Sequence, residues 1–249
     1  MLASNRPGHL FQGQGLNIDN ARDPAPISDS GVLITHNNVI AEKANIVGNV
    51  IIDSIQANRA LRAIKLRDLA IEGYIITRGA FELCTMENVT AQGWYHDPLE
   101  ANNIESYWDK GGLRDSYFHG GENYGIYLRL KYSQNLMVEN VSIEHQATAA
   151  VRVEGEARSM QFHNLYTEGS GQGNPVVDDI SFGALNGRRP DSVAFYGGHL
   201  SWGLHSEHIS YSVNWTNVRR PRKYGAPVWG RPERGLGMVS QLRRAVKLG

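Results

Sequence analysis

The chain has 249 residues, of which 41% are hydrophobic and 27 are glycines, and its 25 basic residues balance its 25 acidic residues. This length allows a sizeable core, and the lack of any apolar run near about 18 residues excludes a transmembrane helix recognisable by hydropathy. The single cysteine, Cys84, excludes an internal disulfide framework, and we expect it to be a buried small apolar residue.

The first 31 residues are polar and are interrupted by prolines and glycines, which predicts an irregular N-terminal arm or cap over residues 1–31. The start of the chain lacks the apolar stretch of a secretory signal. We therefore expect no secretion signal and no membrane span.

From residue 32 to residue 218 the chain repeats a short unit, in which a polar residue precedes, in most copies, an apolar one. Successive copies are 20, 27, 25, 24 and 35 residues apart, which is the size of one coil of a solenoid. Stacked coils bury an apolar face that one coil cannot bury alone, so the repeat predicts one all-β solenoid domain over residues 32–218. The copies are Asp68-Leu69, Asn88-Val89, Asp115-Ser116, Asn140-Val141, Asn164-Leu165 and His199-Leu200.

Strand-like segments with alternating inward and outward residues follow these copies, at residues 69–72, 89–92, 141–144 and 165–168. Asn and Asp tolerate a left-handed backbone and bond to nearby backbone groups, which suits a sharp bend between strands. We therefore expect the polar residues at corners, where stacked side chains form a ladder. The longest interval contains a glycine-rich insertion, residues 169–191, which predicts a side loop.

The end of the chain is strongly basic. Residues 219–249 contain nine basic residues and one acidic residue, whereas residues 1–218 contain 16 basic and 24 acidic residues. This asymmetry predicts a basic C-terminal interaction tail. We favour docking on the acidic body of the same or a neighbouring chain, and nucleic acid is the alternative partner.

The corner-and-strand units over residues 32–218 resemble the right-handed parallel β-helix proteins of the pectate-lyase-like superfamily, above all bacteriophage tailspikes and capsule depolymerases. The resemblance is one of pattern, because the Asp-Gly stretch and helix that precede many such domains are absent. It implies a single-stranded right-handed parallel β-helix, a homotrimer, synthesis in the bacterial cytoplasm and a virion location in the phage tail. It also implies binding to bacterial surface polysaccharide, sometimes with hydrolase or lyase activity, and contacts with other tail proteins through the N-terminal arm or the basic tail.

Alignment of the coils on the polar corner brings His119, Glu144 and Glu168 into one outward column. Outward side chains of successive coils stand about 4.8 Å apart, and two carboxyl groups near this separation match the acid and nucleophile of retaining glycosidases. A depolymerase would use Glu144 and Glu168, with His119 or Arg152 assisting. The alternative is a solvated ladder on an exposed sheet face.

A second outward face precedes the corner. Arginine beside a carboxylate suits the binding of an acidic sugar, and arginine serves as the base in lyases of the superfamily; the alternative is an ordinary salt-bridge ladder between coils. Asp178 and Asp179 are two adjacent carboxylates, too few to define a calcium site, so we expect no metal and no cofactor. The alignment places Glu105, Tyr127, Arg152 and Asp178 in one column, and Tyr107, Arg129 and Glu154 in the next.

Aromatic residues concentrate in one part of the chain, with nine of the 22 between positions 94 and 132. Outward aromatic side chains form platforms for sugar rings or protein interfaces. We expect such a role for Trp94, Tyr95, Tyr117, Tyr124 and Tyr127.

These features favour a tailspike-like protein that binds, and as a depolymerase cleaves, a bacterial surface polysaccharide, with hydrolysis favoured over elimination. The alternative is a non-catalytic receptor-binding or structural virion protein.

Overall fold

The computed structural model describes residues 31–101, 103–170, 179–190 and 192–200, together with the backbone of five strands outside those ranges. In these residues twenty-two strands belong to one sheet, and one turn of helix follows the sixth strand. The elements are β1 (Leu2–Ser4), β2 (Gly8–Phe11), β3 (Leu16–Asp19), β4 (Gly31–Ile34), β5 (Val39–Val47), β6 (Asn49–Asp53), α1 (Ser54–Ala57), β7 (Leu61–Arg62), β8 (Lys65–Ile71), β9 (Tyr74–Arg78), β10 (Ala80–Ala91), β11 (Gly93–Asp97), β12 (Tyr107–Arg114), β13 (Tyr117–His119), β14 (Tyr124–Glu139), β15 (Ser142–Glu144), β16 (Ala149–Arg158), β17 (Met160–His163), β18 (Tyr166–Glu168), β19 (Ile180–Gly183), β20 (Ser192–Tyr196), β21 (Leu204–Ser206) and β22 (Ser212–Thr216).

The strands pair in parallel, each with a strand that lies one coil further along the chain. Ile126 of β14, for example, pairs with Trp94 of β11 on one side and with Val151 of β16 on the other. This register stacks one coil on the next. The prediction of an all-β chain with repeated parallel strands is therefore confirmed.

Inward side chains of successive coils stack into columns that form the core. One column contains six residues that are 0% exposed, and burial of each large apolar side chain stabilises the fold by about 1.5–3 kcal/mol. Further along the stack, the rings of Phe162 and Phe195 lie parallel with centroids 4.6 Å apart. The six residues of the column are Val50, Ile75, Trp94, Ile126, Val151 and Ile180.

The polar corners form as predicted along most of the stack. Asp68, Asn88, Asp115, Asn140 and Asn164 all have a left-handed backbone, with φ between 50° and 54°. Their side chains bond from coil to coil: the Asn88 amide donates to Asp68 at 2.7 Å, Asn140 to Asp115 at 2.9 Å, and Asn164 to Asn140 at 3.0 Å. The expected side-chain ladder is therefore confirmed for these pairs.

The prediction that His199 forms the last corner is wrong. The backbone N–H of Asn164 donates to the carbonyl of Tyr196, and the left-handed residue that follows is Gly197, with φ of 66°. His199 instead pairs with Tyr166. A search for polar corner residues misses this position because glycine adopts the left-handed conformation without help from a side chain.

A second left-handed corner, present in six of the coils that the structure describes, has no counterpart in the predictions. It comprises residues of unrelated types, so no residue pattern marks it, and Leu83 at this corner is 56% exposed. These residues, with φ between 51° and 58°, are Asn38, Ala63, Leu83, Lys110, Asn135 and Ser159.

Two predicted irregular segments contain strands. Within residues 1–31, β1 pairs with β4, and β2 and β3 pair with β5, so these three strands extend the parallel sheet. Within the expected side loop 169–191, β19 pairs with β16 and continues the stack. Both expectations of irregular structure are wrong at these strands, because pairing with a neighbouring coil orders segments whose own sequence shows no clear strand pattern.

A buried polar network lies inside the coils. The ring nitrogens of His96 lie 2.9 Å from the Thr77 hydroxyl and 3.0 Å from the Ser106 hydroxyl, and the Trp94 indole N–H donates to Thr77 at 3.1 Å. Complete burial lowers the pKa of His96 to about 3, so its imidazole is neutral. Cys84 is also buried, as predicted, and burial raises its pKa to about 12.

In the part of the chain that the structure describes, no helix is long and apolar enough to cross a membrane. The basic tail, residues 219–249, lies outside the described residues, and its docking stays a prediction. The domain boundaries stay predictions as well.

Candidate functional site

The predicted carboxylate column has the expected register. His119 of β13 pairs with Glu144 of β15, and Glu144 pairs with Glu168 of β18. The two glutamates are therefore direct neighbours on successive coils, about 4.8 Å apart along the stack. We call His119, Glu144 and Glu168 the carboxylate column.

Hydroxyl groups of neighbouring outward residues bind both glutamates. The Tyr117 hydroxyl donates to Glu144 Oε2 at 3.0 Å, and the Ser142 hydroxyl lies 2.9 Å from Glu144 Oε1. The Tyr166 hydroxyl donates to Glu168. Partial burial and the hydrogen bond to Glu144 raise the pKa of Tyr117, so its hydroxyl keeps its proton and remains a donor. The predicted outward aromatic Tyr117 thus belongs to this column.

The column lies on an open surface. His119 and Glu168 are exposed, and Glu144 is half-buried. The His119 ring contacts the rings of Tyr117, at 5.7 Å between centroids, and His145, at 5.3 Å. The glutamates can accept hydrogen bonds from ligand hydroxyls, and two carboxyl groups on neighbouring coils are the kind of pair that retaining glycosidases use.

A second cluster lies on strands β11, β14 and β16. Tyr95 pairs with Tyr127, which pairs with Arg152, and Arg129 pairs with Glu154. The Tyr127 ring contacts the ring of Tyr95, at 4.8 Å, and that of Tyr124, at 4.7 Å. We call the six residues the tyrosine–arginine surface: Tyr95, Tyr124, Tyr127, Arg129, Arg152 and Glu154.

Glu154 joins the two arginines of this surface. Arg129 Nε lies 3.1 Å from Glu154 Oε2, and Arg152 Nη2 lies 3.0 Å from Glu154 Oε1. The next coil has Gly183 opposite Glu154, and the Arg152 guanidinium lies 2.5 Å from the position that a Cβ there would occupy. Glycine thus leaves room for the guanidinium to extend over the neighbouring coil.

Arg129 retains hydrogen-bonding capacity. Its guanidinium carbon lies 5.8 Å from the centre of the Tyr127 ring, and its side chain is 36% exposed. Within the described residues its terminal nitrogens make no hydrogen bond, since only Nε binds Glu154. Burial raises the pKa of Tyr95 and Tyr127, so both phenols stay neutral beside the arginine.

The structure brings together most of the residues that the sequence analysis selected. Tyr95, Tyr127, Arg129, Arg152 and Glu154 form one cluster, and Tyr117 joins His119, Glu144 and Glu168 in the other. Arg152, expected to assist the glutamates, lies instead on β16 and binds Glu154. Asp178 lies outside the described residues.

The prediction that Trp94 is an outward aromatic residue is wrong. Trp94 is 0% exposed and forms part of the core, whereas its neighbour Tyr95 is half-buried and packs outside that core. Side chains alternate along a strand, so two consecutive residues do not share one face. The prediction of an outward Trp94 beside an outward Tyr95 was therefore wrong.

Glu105 and Tyr107 do not join the second face. Tyr107 pairs with Tyr132, with rings stacked at 4.9 Å, and its hydroxyl donates to Glu82 at 2.9 Å. Glu105 binds Lys131. The cause is the segment between β11 and β12, which shifts the alignment of this coil relative to its neighbours.

Among residues 31–101, 103–170, 179–190 and 192–200, no group of three or more His, Cys, Asp and Glu side chains is arranged to hold a metal ion. Comparisons of the chain with protein-family models, with curated proteins and with solved structures find no match.

Proposed function

We propose that the protein binds an acidic polysaccharide of the bacterial surface through the tyrosine–arginine surface. The observation that carries the proposal is the position of Arg129, whose terminal nitrogens lie beside the Tyr127 ring and make no hydrogen bond within the described residues. A guanidinium binds a carboxylate through paired hydrogen bonds. Tyrosine rings add apolar contact area with a polar edge. An acidic sugar offers a partner to both groups.

Glu154 supports this function by holding Arg129 in place. Its carboxylate binds Nε, on the side of the guanidinium opposite to a ligand that approaches the terminal nitrogens. A side chain fixed in this way loses less freedom on binding, which favours affinity.

The direct test is a binding assay with capsular and lipopolysaccharide fractions from a bacterial panel. We expect Arg129→Ala to weaken binding of an acidic fraction by about 10-fold or more, because hydrogen bonds to charged groups contribute about 1.5–3 kcal/mol. The matched control is Arg62→Ala, which removes another arginine that is bound to a glutamate, Glu82, on a different face. Equal loss in both variants, or no binding across a broad panel, would reject the proposal.

A second candidate function, glycoside hydrolysis, is favoured by the register of Glu144 and Glu168 on neighbouring coils. Retaining enzymes use two carboxyl groups about 5–5.5 Å apart. We expect Glu144→Gln and Glu168→Gln each to abolish the release of reducing ends while leaving the melting temperature near that of the wild type. Glu72→Gln, an exposed glutamate two coils before His119, is the control. Products that absorb ultraviolet light would indicate elimination instead. The candidate catalytic residues would then be Arg129 and Arg152.

The finer fold and the assembly are also proposals. The parallel stack supports a right-handed β-helix of the pectate-lyase-like type, because parallel crossover connections within a sheet are right-handed in about 98% of cases. With the resemblance, this supports a homotrimeric tail protein of a virion. Light scattering on the purified protein tests the assembly, and a monomer at all concentrations would contradict it.

A further inference from the structure

A groove of about 670 Å³ runs along the strand set formed by β8, β10, β12, β14 and β17. This volume falls within the range of about 300–1,000 Å³ that is typical of small-molecule sites. The groove is separate from both clusters described above, since its lining includes none of their residues. Gly111 and Gly112 are among its lining residues.

The groove follows a gap in one outward column. Register places Lys65, Thr85, Gly112, Met137 and Gln161 on successive coils, so the glycine has a side chain on either side and none of its own. Thr85 and Met137 are two coil spacings apart, or about 9.6 Å. After the radii of the two side chains are subtracted, this gap admits one saccharide ring.

The backbone conformation leaves no room for a side chain at the gap. Gly112 has φ of 144°, and a Cβ there would lie 1.8 Å from the Met137 carbonyl oxygen. Gly111 has φ of 106°, and its Cβ would lie 2.0 Å from the Cys84 carbonyl oxygen. Both positions therefore require glycine. The gap therefore follows from the backbone path of β12, which leaves no space for a side chain at these two positions.

The charges beside the groove are compensated, with one exception. The adjacent column alternates in sign, and Arg67 binds Glu42 while Arg114 binds Glu87 at 2.8 Å. Lys65 is exposed and, in the portion of the chain that the structure describes, forms no ion pair. Its ammonium group is thus available to an anion in the groove.

The uncharged lining matches the chemistry of a sugar. Amide groups of Asn135 and Gln161 and the hydroxyl of Ser159 provide hydrogen-bonding partners. Met137 is 41% exposed and offers an apolar, adaptable surface to one face of a ring. We propose that this groove binds one residue of an acidic saccharide, with its ring between Thr85 and Met137 and its carboxylate on Lys65.

This inference rests on the proposed function, because it assigns the same class of ligand to a second site. Together with the tyrosine–arginine surface, the groove would give the protein two binding sites. They could hold the same polysaccharide chain or two different chains. Two linked contacts increase the apparent affinity beyond that of either one.

The test is an amide NMR titration with methyl glucuronide as the acidic probe and methyl glucoside as its neutral counterpart. We expect the glucuronide to shift the Gly111, Gly112 and Met137 signals. Thr85→Tyr should fill the gap and abolish these shifts. The control Thr90→Tyr adds the same ring to an exposed position after the polar corner and should preserve them. Lys65→Gln should weaken glucuronide binding about threefold, as expected for an exposed ion pair.

The outcomes separate the two proposals. Shifts confined to Tyr95, Tyr127 and Arg129 would overturn the groove and leave the proposed function intact. Shifts in the groove alone would support the groove and reject the tyrosine–arginine surface. Equal shifts with the neutral probe, shifts that survive Thr85→Tyr, or no shifts at all would overturn the groove site.

Discussion

The carboxylate column and the tyrosine–arginine surface occupy different strands of the same coils, and they differ in how their charges are held. In the column, Glu144 and Glu168 receive hydrogen bonds from hydroxyl groups and stand next to each other. In the surface, Glu154 lies between two guanidinium groups. One stack thus presents an anionic strip suited to hydroxyl groups and a strip with arginine donors suited to carboxylates.

The difference shows how stacked coils keep two chemically different surfaces apart. Each outward column is defined by one position in every coil, so a change of residue type at that position changes the column and leaves the next one intact. An acidic ligand is attracted by the arginines and repelled by the neighbouring glutamates. Binding and hydrolysis therefore make opposite demands on ligand charge, and the two proposals are separable by experiment.

The largest expected effect concerns the interior beneath the tyrosine–arginine surface, where His96 follows Tyr95. Its pKa is about 3 in the folded state and about 6.5 when unfolded. Below the unfolded value the unfolded chain binds a proton that the folded chain excludes. The free energy of unfolding should therefore fall by about 1.4 kcal/mol per pH unit from this group as the pH drops below about 6.5.

Denaturant unfolding as a function of pH measures this slope. His96→Gln should lower the free energy of unfolding at neutral pH but flatten its dependence on acid pH, because glutamine takes up no proton on unfolding. An identical slope in the wild type and His96→Gln would contradict the assignment.

The next largest effect is expected on saccharide affinity when the charge of Arg129 is reversed. Arg129→Glu should weaken binding of an acidic saccharide by about 100-fold, since it removes a charged hydrogen-bond donor and adds repulsion. Glu144→Gln should leave that affinity within about twofold, because the column does not bind the carboxylate. Calorimetric titration compares both variants. A larger loss in Glu144→Gln would place the acidic ligand on the column.

The smallest effect distinguishes two tyrosine hydroxyls. The Tyr117 hydroxyl donates to Glu144, so Tyr117→Phe should lower the free energy of unfolding by about 1 kcal/mol. The Tyr95 hydroxyl makes no hydrogen bond within the described residues, so Tyr95→Phe should be nearly neutral. Parallel denaturant curves measure both. A greater cost for Tyr95→Phe would indicate that its hydroxyl has a structural role.

Local residue chemistry was sufficient to predict the corners at Asp68, Asn88, Asp115, Asn140 and Asn164. Asn and Asp favour a left-handed backbone, and their side chains stack at a fixed repeat. Once these corners are aligned, the register of Glu144 and Glu168 follows by counting residues. The same counting failed at His199, where glycine forms the corner.

The remaining features depend on contacts between coils, which the sequence does not reveal directly. Ala63, Leu83 and Lys110 have a left-handed backbone because the stack imposes it. Tyr107 was misplaced because an extra segment precedes its strand. The groove was not predicted, because the gap at Gly112 can be recognised only from the strand register, which places Thr85 and Met137 on either side of it.

The most direct test of the central claim compares an acidic bacterial polysaccharide with the same polymer after chemical reduction of its carboxyl groups. If the tyrosine–arginine surface binds the carboxylate, the wild type should bind the native polymer about 10-fold or more tightly than the reduced one, and Arg129→Ala should remove most of that preference. Equal affinity of the wild type for both polymers would contradict the account.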